Sequence, residues 1–148
     1  MTPTEIDAVA REALSWEGTP YVPHGRVRGV GVDCGHLLWA VYSTIRSDLP
    51  LPPDQYAPDW ALHTDEEKYL DFIMPFVRQV PQVSPGGFSL YHVGKAYAHA
   101  AIFLPERRYI HAWGRLRAGR VMKSDPRLME YISMKSGFPT KHFEPIVD

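Results

Sequence analysis

Apolar positions recur at helical spacing through the first third of the chain, and strand-like apolar runs dominate its last two-fifths. Thr2, Pro3 and Glu5 form a capping box with proline at the first helical position. Ile6, Val9, Ala10, Ala13 and Leu14 then share one face, and Gly18 is placed to end the helix. Residues 18–32 read as loop, punctuated by glycine and proline. Asp33 is a good N-cap for a second helix running to about Ile45, with Leu37, Leu38, Val41, Tyr42 and Ile45 on its apolar face. Thr64 and Glu67 suggest another capping box, opening a helix with Leu70, Ile73 and Met74 that Pro75 kinks or ends.

From there the period changes. Phe88–Val93, Ala98–Leu104, Tyr109–Trp113 and Gly119–Lys123 read as strands separated by turn residues. A short helix is predicted over Asp125–Ile132 and a last strand within Phe138–Ile146. Helices first and strands after predict an α+β domain, its N-terminal helices packed on an antiparallel sheet.

Composition narrows the function classes. The 148 residues suit a single domain over 1–148 with a core that needs no staples. Sixteen Lys and Arg against 17 Asp and Glu leave a formal charge of −1, which argues against a nucleic-acid binder reliant on phosphate neutralisation. Fourteen prolines exceed the usual share of about 5%. Pro50, Pro52, Pro53 and Pro58 mark residues 48–63 as an ordered, non-repetitive loop insertion. The N-terminal residues carry no basic and apolar leader pattern, so synthesis and retention in the cytoplasm are expected unless a carrier exports the chain. No apolar run approaches the roughly 20 residues of a membrane span. A lone cysteine, Cys34, excludes an intrachain disulfide and a Cys-rich zinc site. Cys34 is therefore a core filler or a nucleophile.

Its position favours chemistry. Cys34 follows the N-cap Asp33, where free backbone N–H groups and the helix dipole favour thiolate. A thiolate nucleophile is normally paired with an imidazole. His99 and His111 lie in the two clearest strands, joined across Pro105-Glu106-Arg107-Arg108. Their twelve-residue separation puts both on one face only if the tight loop has an odd residue count. A three-residue loop, Glu106 to Arg108, would satisfy this. The competing reading of each residue is structural: a packed thiol and hydrogen-bonded core histidines.

These residues resemble the NlpC family of papain-like cysteine peptidases, which cut bacterial cell-wall peptides. Gly18-Thr19-Pro20-Tyr21-Val22-Pro23-His24-Gly25 is similar to the family's G-x-P-Y-x-x-G-G loop, and Asp33-Cys34 to its D-C-S-G turn. His99-Ala-Ala-Ile-Phe-Leu followed by Tyr109-Ile110-His111-Ala112 is similar to H-V-G-I-Y-L…F-I-H-A, and Pro85-Gly86 to the P-G-D turn entering the sheet. The resemblance implies the papain-like fold with the nucleophile at a helix N-terminus. It implies Cys34 as nucleophile, His99 as general base and His111 as the group orienting His99. Tyr21 would reach the oxyanion or the substrate, and Asp33 would cap the helix or contact a charged group of the stem peptide. No cofactor is implied. The partner is the peptidoglycan stem peptide, and the bond is the one after γ-D-glutamate, broken through a thioester.

Departures from the pattern open alternatives. The motif's serine and glycine are Gly35 and His36, its second loop glycine is His24, and the P-G-D aspartate is Gly87. His36 would crowd the cleft or line it and assist. The missing leader, the proline-rich insertion and the C-terminal extension resemble the phage-tail-associated branch, with phage tail proteins as partners and delivery to the cell wall by a virion. Three alternatives stand beside the peptidase: a tail or assembly protein that has lost activity, a thiol-dependent amidase or acyltransferase, and a zinc site of Cys34, His99 and His111. Arginines at 26, 28, 107, 108, 115, 117 and 120 read as a solvated face, and Trp60, Trp113 and the tyrosines as packing.

Overall fold

The computed structural model describes residues 1–53, 67–114 and 119–147. Helix α1 (Pro3–Ser15) starts with its capping box formed: the Thr2 hydroxyl accepts from the Glu5 N–H, and the Glu5 carboxylate accepts from the Thr2 N–H. A two-residue hairpin, β1 (Arg26–Val27) with β2 (Gly31–Val32), follows inside the segment read as loop. Helix α2 (Cys34–Tyr42) is capped by Asp33. It stops three residues short of Ile45, where the Ser43 and Thr44 hydroxyls bond the carbonyls of Trp39 and Val41 in place of continued helix.

Helix α3 (Lys68–Ile73) gives way to a 3-10 turn over Met74–Phe76, because Pro75 cannot continue the α-helical ladder. Thr64 lies outside the described residues. Glu67 stands at the N-cap position but does not cap. Its carboxylate accepts the backbone N–H of Tyr97 at 3.0 Å instead, tying α3 to the sheet.

The remaining elements are β3 (Val77–Val80), β4 (Phe88–Val93), β5 (Ala96–Phe103), β6 (Tyr109–Trp113), β7 (Arg120–Ser124), helix α4 (Pro126–Ser136) and β8 (Lys141–Pro145). The strands form one antiparallel sheet in the order β3-β8-β4-β5-β6-β7. Helix α4 runs four residues beyond its predicted end and stops at Gly137, whose φ of +75° supplies the left-handed cap.

Alternation assigns the two faces of the sheet. Phe88, Leu90, Ala100, Ile102, Ile110 and Ala112 pack into the larger core with α1 and α2. Tyr91, Ala101, Phe103, Tyr109 and Met129 form a smaller cluster on the opposite face, where Met129 comes from α4. Helices thus lie on both faces, and the large core sits between the first two helices and the sheet. Among the described residues no helix is long and apolar enough to cross a membrane.

Candidate active site

The site is assembled where the start of α2 meets β5. Asp33 Oδ1 accepts from the His36 N–H at 2.8 Å and faces His36 Nδ1 at 2.8 Å, while Oδ2 accepts from the His24 N–H at 2.7 Å. Burial acts to raise the Asp33 carboxyl, but the His36 ring and amide, with the His24 amide, hold it below its ordinary value. One carboxylate therefore caps α2, holds His36 and anchors the loop before β1. His36 is 1% exposed and Asp33 8%. Through these bonds the pair joins the loop before β1 to the start of α2.

His24 occupies a left-handed backbone conformation, φ +61°, at the position where the resembled motif has glycine. Gly35 has a different reason. A Cβ there would lie 3.0 Å from the Tyr69 ring, so the motif's serine is replaced by the residue that lets Tyr69 of α3 cover the helix start.

Cys34 is half-buried, and its Sγ donates to the Ala98 carbonyl at 3.4 Å. Burial pushes the thiol up to about 12, and the charge of Asp33 adds to the rise; the amides of Ala100, Gly35 and Cys34 act the other way. The helix start was expected to favour thiolate. Burial and the neighbouring carboxylate outweigh it, and the resting group is a thiol.

His99 sits between Ala98 and Ala100, on the strand that the sulfur touches. The three-residue loop of the β5–β6 hairpin is Pro105 to Arg107, one residue earlier than predicted, since Leu104 N–H bonds Arg108 O at 2.8 Å. Arg107 at φ +64° makes the tight return. The odd loop length places both histidines on one face. His99 Nε2 lies 2.7 Å from His111 Nδ1, and His111 Nε2 lies 2.7 Å from Ser124 Oγ. Burial lowers His111 to about 4, so it is a neutral ring with one donating and one accepting nitrogen. Trp113 packs edge-on to His99 with centroids 4.7 Å apart.

In these contacts the facing nitrogens of His99 and His111 are engaged with one another. Among the described residues no group of three or more His, Cys, Asp or Glu side chains is placed to hold a metal.

Tyr21 enters from the loop after α1. Its N–H donates to Gly119 O at 2.7 Å, it bridges Val32, and its ring lies against Gly114. Tyr21 and Cys34 pack on the edge of the same core. The structure therefore joins His99, His111 and Ser124 in one chain and brings Cys34 against the strand of His99. The thiol hydrogen bond goes to a backbone carbonyl, not to an imidazole.

Ser124 is the residue that sequence reading missed. It lies one position beyond the predicted end of its strand, and only the β6–β7 register discloses its partner. Trp60, Arg115 and Arg117 lie outside the described residues. Arg28 pairs with Glu12 at 2.6 Å and stacks over Trp16.

No protein-family model matches the sequence, and no curated protein matches it. Solved structures do. The NlpC/p60 domain of the peptidoglycan hydrolase SagA is similar at a TM-score of 0.54 and 22% identity, over 83% of this chain and 91% of that one. A lipoprotein-like protein of the NLP/P60 family from Staphylococcus aureus subsp. aureus Mu50 is similar at 0.64 and 20% identity, over 100% of this chain and 43% of that one. The chain spans less than half of that second protein. Helices on an antiparallel sheet, with α2 opening at Cys34, give this chain the papain-like α+β fold of NlpC/p60 domains.

Proposed function

We propose that the chain is a cysteine peptidase that hydrolyses an amide bond of the peptidoglycan stem peptide, the bond after γ-D-glutamate. The observation carrying this reading is the chain from His99 Nε2 through His111 to Ser124, on the strand against which Cys34 Sγ lies. It supplies a base held in direction by a second group, as nucleophilic thiol chemistry requires. The similarity to the domain of a peptidoglycan hydrolase supports the substrate class.

In this mechanism Sγ turns from Ala98 O toward His99. Since His99 Nε2 is engaged by His111, Nδ1 takes the thiol proton. The sulfur attacks the scissile carbonyl, and the amides of Cys34 and Gly35 with the Tyr21 hydroxyl face the developing oxyanion. His99 returns the proton to the leaving amine, which departs and leaves a thioester. A water that gives its proton to His99 then cleaves the thioester, releasing the acid and the thiol.

A second reading is a binding or assembly protein, such as a phage tail component, that keeps the fold without the chemistry. The thiol held on Ala98 O and raised to about 12 favours it. Digestion of purified muropeptides separates the two. New amines released by the wild type and not by Cys34→Ala support the peptidase. Equal inertness of both proteins overturns it, and products carrying a new acyl acceptor reassign the chemistry to acyl transfer.

A further inference from the structure

Strand β5 breaks its register just before His99. Tyr91 stands opposite His99 and His92 opposite Tyr97, so Ala98 is an extra residue on β5 with no counterpart on β4. That is a β-bulge, which bends its strand, disrupts the ladder locally and recurs beside active sites. On the other side, among the described residues, β5 pairs with β6 only at Ile102 and Phe103. Ala98 thus has no counterpart in either ladder, and its carbonyl accepts from the Cys34 Sγ at 3.4 Å.

A carboxylate from outside the sheet holds this bulge. The Tyr97 N–H donates to Glu67, with Oε2 at 3.0 Å and Oε1 at 3.3 Å. Glu67 stands at the N-cap position of α3, yet its side chain makes no capping bond there. A polar side chain at a helix start ordinarily satisfies that helix's own amides. Here the carboxylate serves the strand instead, and a bond to an ionised acceptor is stronger than one between neutral groups. The Tyr97 side chain is anchored separately. Its hydroxyl donates to Pro139 O at 2.7 Å, and Lys141 Nζ lies 5.0 Å from its ring centre. The backbone of the bulge and the side chain beside it therefore have different supports, which can be removed one at a time.

We propose that Glu67 is a positioning residue for Cys34: its carboxylate fixes the bulge through the Tyr97 amide, and the bulge presents the Ala98 carbonyl that seats the sulfur on the strand of His99. Its role in catalysis rests on the reading of Cys34 as the nucleophile. Glu67 acts through two neighbouring backbone groups, by a hydrogen bond and not by its charge. Glutamine, which keeps a carbonyl acceptor at the same reach, should therefore replace it.

The test reads the thiol itself in the full chain. Cys34 is the one cysteine, so the S–H stretch in a Raman spectrum has a single source. In the wild type that band should lie at the lowered frequency of a hydrogen-bonded thiol. In Glu67→Ala it should move to the free-thiol position, and the Tyr97 amide should exchange faster with solvent. Alkylation of Cys34 by iodoacetamide at pH 8 should quicken about threefold to tenfold, the worth of one hydrogen bond. Glu67→Gln and Tyr97→Phe, which keep the acceptor and the amide, should stay close to the wild type. A faster Tyr97 amide with an unchanged thiol in Glu67→Ala makes the bond merely structural and overturns the proposal. So does an effect of Glu67→Gln or Tyr97→Phe equal to that of Glu67→Ala. If Glu67→Ala does not fold, Glu67→Asp, one methylene short of the reach, takes its place. A free-thiol band in the wild type overturns the proposal without any variant. Muropeptide digestion is read separately: inert wild-type protein with the expected thiol results sinks the peptidase reading and leaves the seating of Cys34 by Glu67 intact.

Discussion

His99 and His111 are joined nitrogen to nitrogen at 2.7 Å across two neighbouring strands. Both rings cannot be protonated in that contact, since each shared nitrogen would then donate. Burial settles which ring stays neutral: His111, 1% exposed, is lowered to about 4. The contact fixes the ring direction of His99, and its strength rests on what holds the far side of His111.

That far side is Ser124, so Ser124→Ala is expected to leave a buried imidazole nitrogen without a partner, at a cost of about 1–3 kcal/mol in stability. For a positioning residue, kcat on muropeptides should fall with KM little changed, and Ser124→Thr should recover part of it. Thermal melts and steady-state rates on the three proteins check this. A Ser124→Ala enzyme of wild-type kcat would show that His111 holds His99 without help.

The depressed His111 also predicts acid sensitivity. Folded His111 titrates near 4 and an unfolded histidine near 6.5, so between these values the unfolded chain binds more protons. Stability from this group is fully present above about 6.5 and is lost as pH falls toward 4, by about 3 kcal/mol at most. His142, also lowered by burial, contributes with the same sign. Urea denaturation at pH 7 and pH 4.5 reads the slope, and His111→Gln should flatten most of it. An equal slope in that variant would assign the acid sensitivity elsewhere.

Much of this architecture is written locally. Thr2, Asp33 and Asp125 each start a helix through their own side chains, and the strands of Phe88 and Tyr109 are marked by turns at both ends. Strand β3 is not legible, because Val77-Arg-Gln-Val lacks the alternation of a half-buried strand and is ordered by pairing with β8. The histidine pair was legible from the motif resemblance together with a parity condition on the loop, and the odd loop that meets the condition lies one residue earlier than predicted. The thiol's state was not. It depends first on burial, including the contact with Ala98 sixty-four residues away, which no local spacing encodes, and only second on the adjacent Asp33 carboxylate.

Cys34 should therefore behave as an undissociated thiol at rest. Alkylation by iodoacetamide is expected to be slow at pH 7 and to keep rising through pH 9, since the thiol is raised to about 12 by burial and by Asp33. Asp33→Asn keeps an N-cap and removes the charge, so it should speed alkylation. A fast wild-type reaction at pH 6 would instead place a thiolate–imidazolium pair in the resting protein.

His24 tests whether a backbone conformation explains a departure from the motif. At φ +61° a non-glycine residue carries strain of about 1–3 kcal/mol, and the bond that matters, to Asp33 Oδ2, comes from its backbone. His24→Gly should match or exceed wild-type stability, whereas His24→Val should lose about 1–3 kcal/mol. Thermal denaturation of both variants decides it. A strongly destabilised glycine variant would mean that the His24 ring, edge-on to His36 at 6.3 Å, does more than occupy the turn.

The placement of Tyr21 makes the last prediction, through Gly114. A Cβ at 114 would come 2.6 Å from Tyr21 Cδ1 and 2.7 Å from Cε1, too close for the ring to stay. Gly114→Ala must move the ring, the backbone, or both, at a cost of about 1–3 kcal/mol. If Tyr21 faces the oxyanion, the displaced ring should lower kcat on muropeptides as Tyr21→Phe does. The two changes should then be non-additive in the double variant, because each removes the same hydroxyl from the same place. Additive losses would separate Gly114 from Tyr21 and assign the glycine to the β6–β7 connection alone.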